Sequence, residues 1–251
     1  MSGQGAKPLM TLLLLGGTGT ATEIAARLAR SGHDALCSVA GGARLGRTVD
    51  LPQREGGFGG EAGFRAFVKE RGIRAVLDAT HPFASRISER SARLCAEMGL
   101  PYCLVWRPEW VPEPGDRWIF LDQPEEAAAH VPPAAVVFLA TGRAGLERFS
   151  DLRGRYLYCR QIQPKEGDFP LPDGEFILGT PPFTVEEEVA LFRALRVDVL
   201  VVRNAGGEGS RSKLLAARQL GLLVLMLNRP PPPDAPLVGS VEAALDWVAQ
   251  L

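Results

Sequence analysis

One supersecondary pattern occurs twice in this chain, and it restricts the fold more than any other feature. Residues 74–108 (RAVLDATHPFASRISERSARLCAEMGLPYCLVWRP) and 196–230 (RVDVLVVRNAGGEGSRSKLLAARQLGLLVLMLNRP) align without a gap. Each runs through an apolar strand, a polar turn, an amphipathic helix, Gly-Leu, a second apolar strand and Arg-Pro. Only six of the 35 aligned pairs are identical, so the weight rests on the shared order, which is that of a βαβ unit. Two such units far apart predict two similar α/β lobes; the alternative is one large sheet in which every βαβ unit looks alike. A chain of 251 residues suits two domains of about 110–130 residues. The segment Trp110–Asp116, with Pro112, Pro114 and Gly115, reads as the linker. It gives an N-terminal lobe over 1–112 and a C-terminal lobe over 113–251. A cleft between two lobes is a common ligand site.

The rest of the chain continues the alternation. Met10–Leu15 and Ala35–Val39 read as strands around a helix over Thr22–Ser31. Gly41–Gly60 reads as a long loop, and Glu61–Arg71 as a helix. In the C-terminal half, strands are predicted at Trp118–Leu121, Val136–Ala140, Arg155–Gln161 and Glu175–Gly179. Helices are predicted near Glu125–His130, over Val185–Leu195 and over Val241–Ala249. The four prolines of Pro230–Pro233 make that stretch extended surface chain. Strands alternating with helical segments imply a mostly parallel sheet with helices on both faces.

A net charge of −1 points away from nucleic acid and from a membrane surface as partners. The basic residues are 24 arginines against four lysines, and an arginine fork suits carboxylates or phosphates. Cys37, Cys95, Cys103 and Cys159 lie far apart with no CxxC pair, which fits buried thiols in a reducing compartment. The three histidines show no metal-ligand spacing, so no metal site is expected. The apolar run Leu9–Leu15 is too short to span a bilayer and leads into a glycine turn. A cytoplasmic protein is expected.

Four polar turns carry the candidate chemistry. Gly16-Gly17-Thr18-Gly19-Thr20 joins the first strand to the first helix, where backbone N–H groups can meet an anion. A GxGxxG reading on Gly17 and Gly19 fails, because Thr22 stands where the third glycine belongs. No acidic residue closes the second strand either; Ser38-Val39-Ala40-Gly41 stands there, followed by Arg44 and Arg47. Arginines beyond the second strand suit a 2′-phosphate, hence NADP. Another phosphate ligand and a purely structural turn stay open. Asp78-Ala79-Thr80-His81-Pro82-Phe83-Ala84 falls at the carboxyl end of a strand, where open α/β sheets place ligands. There Thr80 or His81 caps a helix or faces the ligand, and His81 is a candidate proton donor. Arg203-Asn204-Ala205-Gly206-Gly207 is the corresponding turn of the second repeat, with Lys213 nearby. Its glycines leave room for a close ligand, and a side chain at Gly206 is expected to block binding while sparing folding. Gly56-Gly57-Phe58-Gly59-Gly60 is either a connector or a loop whose Phe58 covers a flat ligand.

At these residues the chain resembles the precorrin-6A reductase family of cobalamin biosynthesis, essentially end to end. The resemblance rests on Gly16-Gly17-Thr18, Ser38-Val39-Ala40-Gly41, Gly56-Gly57-Phe58-Gly59-Gly60, the DATHPFA run 78–84, Pro182-Phe183-Thr184-Val185, Asn204-Ala205-Gly206-Gly207 and Arg229-Pro230. It implies two Rossmann-like lobes with a ligand cleft between them, lacking the usual GxGxxG fingerprint. It also implies NADPH-dependent hydride transfer to a corrin precursor, precorrin-6A to precorrin-6B. The macrocycle would be handed over from neighbouring pathway enzymes. The implied cofactor residues are Gly16, Gly17, Thr18, Gly19, Thr20, Arg44, Arg47 and Thr80. The implied contacts to the tetrapyrrole are Gly57, Phe58, Gly59, Arg143, Arg160, Arg203, Asn204, Gly206, Gly207 and Lys213. The chain departs from the family pattern in the crowded first turn before Glu23, in the spacing around Arg44 and Arg47, at Pro181 and at Arg203. Two other readings are a cobalt-precorrin-6A reductase using NADH and a non-catalytic two-lobed binder of nucleotides or phosphates.

Overall fold

The computed structural model describes residues 11–39, 51–162 and 167–251. The chain forms two compact units, one of Met1–Arg107 with Pro230–Leu251 and the other of Pro108–Arg229. Both passages between the units fall inside the Arg-Pro pair that ends each repeat. The sequence-based division near residue 112 differs mainly at the C-terminus, where residues 230–251 belong to the first unit. The reason is pairing at long range, described below.

The first unit holds β1 (Thr11–Leu15), α1 (Gly19–Arg30), β2 (Ala35–Val39), β3 (Gln53–Glu55), α2 (Gly60–Glu70), β4 (Ile73–Asp78), α3 (Ser85–Glu97) and β5 (Tyr102–Val105). The second holds β6 (Trp118–Leu121), β7 (Val136–Leu139), β8 (Tyr156–Gln161), β9 (Gly174–Leu178), α4 (Val185–Ala194), β10 (Val199–Arg203), α5 (Ser212–Leu220) and β11 (Leu223–Leu227). Short 3₁₀ segments, among them Pro124–Ala129 and Leu146–Leu152, stand where further helices would pack. β12 (Leu237–Val238) and α6 (Val241–Ala249) close the chain.

The strands form two six-stranded sheets, β12-β5-β4-β1-β2-β3 and β6-β11-β10-β7-β8-β9. Every pairing among the described residues is parallel. Read from β3 or from β9, both sheets follow the 3-2-1-4-5-6 order of a doubly wound nucleotide fold. The sixth position is exchanged along the chain. β6 follows β5 in sequence but pairs with β11, while β12 lies beside β5 through Leu237 opposite Leu104 and Val238 opposite Val105. α6 then packs its Ala244 and Val248 into the cluster that contains Leu12, Ile24 and Leu77.

Burial explains the leucine run. Leu12 and Leu14 enter one apolar cluster and Leu13 and Leu15 another, on opposite faces of the sheet. All four are at most 1% exposed, and each contributes about 2 kcal/mol of hydrophobic stabilisation. A strand buried on both faces reads as a continuous apolar run. In the second sheet, Leu200 and Val202 of β10 share a cluster with Phe138, Phe192 and Met226. Caps fix the helix starts: Thr18 accepts from the Ala21 N–H, Ser240 from the Ala243 N–H, and Thr184 with Glu187 forms a reciprocal capping box. Among the described residues no helix is long and apolar enough to cross a membrane.

Candidate functional site

In each unit the strand order reverses between two central strands, β1 and β4 or β7 and β10, and a doubly wound sheet binds ligands at that reversal. In the first unit it brings Gly16–Thr20 beside Asp78–His81. The Thr18 hydroxyl donates to the Ala79 carbonyl at 2.7 Å and accepts from the Ala21 N–H at 3.1 Å. One side chain thus caps α1 and ties the two turns together. Among the described residues, no hydrogen bond is made by the backbone N–H of Gly17 or Thr18. The first turn of α1 carries no acidic residue, so its start is electrostatically open to an anion. Arg107, at the end of β5, donates to the Thr20 hydroxyl at 2.7 Å, adding a guanidinium beside the same turn.

The DATHPFA turn is held from below. Asp78 is fully buried; its carboxylate accepts the Thr80 N–H at 2.9 Å and the Tyr102 hydroxyl at 2.8 Å. Burial, with the Asp78 charge second, pushes the Tyr102 phenol far above its ordinary value, so it stays a donor. Thr80 and His81 do not cap α3. Its cap position is Ala84, without a side-chain bond, and the Thr80 hydroxyl instead meets the Ser88 hydroxyl at 3.3 Å. The Phe83 N–H donates to His81 Nδ1 at 3.2 Å. With Nδ1 as acceptor, the neutral ring carries its proton on Nε2.

Gly57, Phe58 and Gly59 lie between β3 and α2. The Phe58 ring is only 9% exposed and packs at 5.1 Å from Phe64 and 5.2 Å from Phe67. It belongs to the apolar core of the first unit, where the sequence reading offers a connector or a cover over a flat ligand. The loop folds tightly onto α2: a Cβ at Gly63 would sit 1.7 Å from the Phe58 carbonyl oxygen. Arg44 and Arg47 lie outside the described residues.

The second unit redistributes its predicted donors. Asn204 is fully buried, and its side chain accepts the Trp110 N–H at 2.9 Å and donates to the Trp110 carbonyl at 3.1 Å. The Trp110 indole N–H donates to the Gly207 carbonyl at 2.8 Å. Asn204 therefore anchors the backbone of Trp110. Gly206 serves the same packing: a Cβ there would lie 2.1 Å from the Pro108 carbonyl oxygen. The expectation that a side chain at Gly206 spares folding is corrected for that reason. Arg160 is buried, and it grips Glu188 with two bonds of 2.7 Å, its guanidinium between Phe138 and Phe183. Its fork is occupied by Glu188, so it is not an open clamp.

The remaining cations lie at or near the carboxyl edge of this sheet. Arg143 follows β7 and stacks 4.8 Å from the Phe176 ring. Arg203 ends β10 and donates to the Ala144 carbonyl at 3.1 Å; burial lowers its pKa. Lys213, on the first turn of α5, donates to the Ser210 carbonyl. Burial pushes its ammonium down to about 8, opposed by Glu188 and reinforced by Arg160. Glu188 and Tyr102 were not among the sequence candidates, and Asp78 was named only as the first residue of its turn. Glu188 hides in the run Glu186-Glu187-Glu188, which reads as ordinary helix-start acids, yet it is 1% exposed.

Two doubly wound parallel sheets with polar turns at both reversals define a two-unit α/β protein of Rossmann-like class. Comparison with known proteins narrows this. The family described as precorrin-6x reductase CbiJ/CobK matches residues 11–249. The precorrin-6A reductase of Rhodobacter capsulatus is 40% identical over 241 residues, covering 95% of each chain. That of Rhodococcus erythropolis is 41% identical over 243 residues, covering 96% of this chain and 98% of the relative. A solved structure titled CobK precorrin-6A reductase superposes with a TM-score of 0.89 at 38% identity, covering 96% of this chain and 97% of the other. The chain belongs to the precorrin-6x reductase family.

Proposed function

We infer that this chain reduces precorrin-6A to precorrin-6B with NADPH, in cobalamin biosynthesis. The observation that carries the reading is end-to-end similarity at 40–41% identity to relatives named for that metal-free substrate. The glycine turn fits a dinucleotide: the N–H groups of Gly17 and Thr18 make no hydrogen bond among the described residues, at a helix start with no acid in the first turn. Gly16, Gly17, Thr18, Gly19 and Thr20 would hold the pyrophosphate, with Thr80 beside them. When bound, the reduced nicotinamide supplies the hydride.

The protein's own residues then have modest tasks. The Asp78–Thr80 bond and the Thr18 bridge hold the two turns of the first unit rigid, which favours a fixed reacting geometry. His81, as the imidazolium, is the candidate to protonate the reduced macrocycle, returning to the neutral ring whose Nδ1 accepts the Phe83 N–H. Arg143, Arg203 and Lys213 are candidate partners for the carboxylates of the tetrapyrrole, with Gly207 at the turn beside them. We place the reaction in the cytoplasm, with the macrocycle passed between successive pathway enzymes. The test is anaerobic incubation of the purified protein with precorrin-6A and NADPH. Loss of NADPH absorbance together with a reduced macrocycle is expected. NADPH that stays unconsumed beside a tightly bound macrocycle would make the protein a binder.

A further inference from the structure

We propose that Arg54 is the residue that distinguishes NADPH from NADH in this chain, by receiving the adenosine 2′-phosphate. The proposal rests on the cofactor reading above and adds the group that reads the phosphate. β3 pairs with β2 so that Arg54 lies opposite Ser38, next to the carboxyl end of β2. In dinucleotide folds this is where an acid binds the ribose hydroxyls, or where an arginine accommodates an added phosphate. Here Ser38 is the penultimate residue of the strand, and the Arg54 guanidinium donates to its hydroxyl at 2.7 Å.

The rest of the Arg54 environment is neutral and rigid. Nη1 donates to the Gly56 carbonyl at 3.0 Å and Nη2 to the Gly57 carbonyl at 2.9 Å. The guanidinium lies 4.2 Å from the Phe58 ring centroid and 5.0 Å from that of Phe67. The close approach of the Phe58 carbonyl to Gly63 fixes the loop that supports it. Among the described residues Arg54 has no carboxylate partner. Arg27, Arg93, Arg148, Arg160 and Arg218, by contrast, are each paired with one. Partial burial lowers the Arg54 pKa with no carboxylate to offset it. A half-buried guanidinium with only neutral acceptors among the described residues keeps its positive charge uncompensated there, held close to two aromatic rings, where a 2′-phosphate would arrive. The expected chemistry is a charge-assisted hydrogen bond to a phosphate oxygen.

The experiment measures equilibrium dissociation constants by calorimetry for NADP⁺, NAD⁺ and the fragment adenosine 2′,5′-bisphosphate. The proteins are the wild type, R54Q and R54K, with thermal unfolding to confirm that each is folded. For R54Q, NADP⁺ and bisphosphate affinity should fall by about tenfold to a hundredfold while NAD⁺ affinity changes little. R54K keeps the charge but loses the fork, so it should fall less in NADP⁺ affinity and also leave NAD⁺ binding unchanged. That comparison decides the matter if R54Q does not fold. If both variants weaken NADP⁺ and NAD⁺ alike, Arg54 only staples its loop and the proposal is overturned. Full retention of the NADP⁺ preference overturns it too, since the phosphate is then read elsewhere. A wild type that binds both dinucleotides equally would overturn the NADPH reading itself, and this proposal with it.

Discussion

Replacing Glu188 by Gln tests the most buried ion pair among the described residues of the second unit. The side chains of Arg160 and Glu188 are 6% and 0% exposed, and two bonds of 2.7 Å join them. Glutamine preserves the shape but removes the counter-charge, leaving a guanidinium between Phe138 and Phe183 without compensation. Breaking one side of a buried pair costs about 3–5 kcal/mol. For a unit of this size that corresponds to a fall in melting temperature of roughly 10–20 °C. The assay is urea unfolding followed by near-ultraviolet circular dichroism and by the fluorescence of the four tryptophans. Coincident transitions establish that a single free energy applies. The double variant R160M/E188L should recover most of the loss, because apolar replacement of a whole buried pair is often neutral or stabilising. A loss below about 1 kcal/mol in E188Q, the range of solvent-exposed pairs, would refute the reasoning.

Gly206→Ala should destabilise the second unit by about 2–4 kcal/mol. Gly206 has φ +65° and its Cβ would meet the Pro108 carbonyl at 2.1 Å, whereas a Cβ at Gly209 meets nothing within 4 Å. Equal melting temperatures for G206A and the control G209A would contradict this. Lys213 should titrate near 8 in the folded protein, read by NMR of reductively ¹³C-methylated lysines. Its folded-state pKa is depressed, so below about pH 8 both states carry the proton and the full cost of burying the charge is present. Between pH 8 and the ordinary lysine range the unfolded chain binds more protons, so this group's contribution to stability rises with pH. A titration near the ordinary lysine value would show that the ammonium is well solvated.

Much of the architecture is legible because local pattern and global fold agree. Ala35–Val39, Trp118–Leu121 and Val241–Ala249 fall at the expected boundaries; the first two are short β-rich runs, and Ser240 caps the last. The repeat correctly signals two similar sheets, although its first strands are offset: β4 ends at Asp78, while β10 extends to Arg203, aligned with His81. The return of β12 to the first sheet is not legible, because a two-residue strand carries no periodicity and its partner lies more than a hundred residues away. β3 is missed because Gln53-Arg54-Glu55 is polar throughout, as an edge strand permits. At the site, residue type alone could not separate donors aimed at a ligand from donors used internally. Asn204 and Arg160 are spent on Trp110 and Glu188, and only the tertiary positions of those partners reveal it. Gly206 of the RNAGG turn likewise admits the chain itself, at Pro108.

Hydride transfer from a nicotinamide to a corrin precursor on this chain is tested most directly by supplying NADPH deuterated on the transferred face of C4, with precorrin-6A, in ordinary water under anaerobic conditions. Mass spectrometry and NMR of the macrocycle should then show one deuterium from the cofactor and one proton from solvent or His81 added across a single double bond. A reduced macrocycle that carries no deuterium, or no reduction while both ligands are bound, would contradict the account.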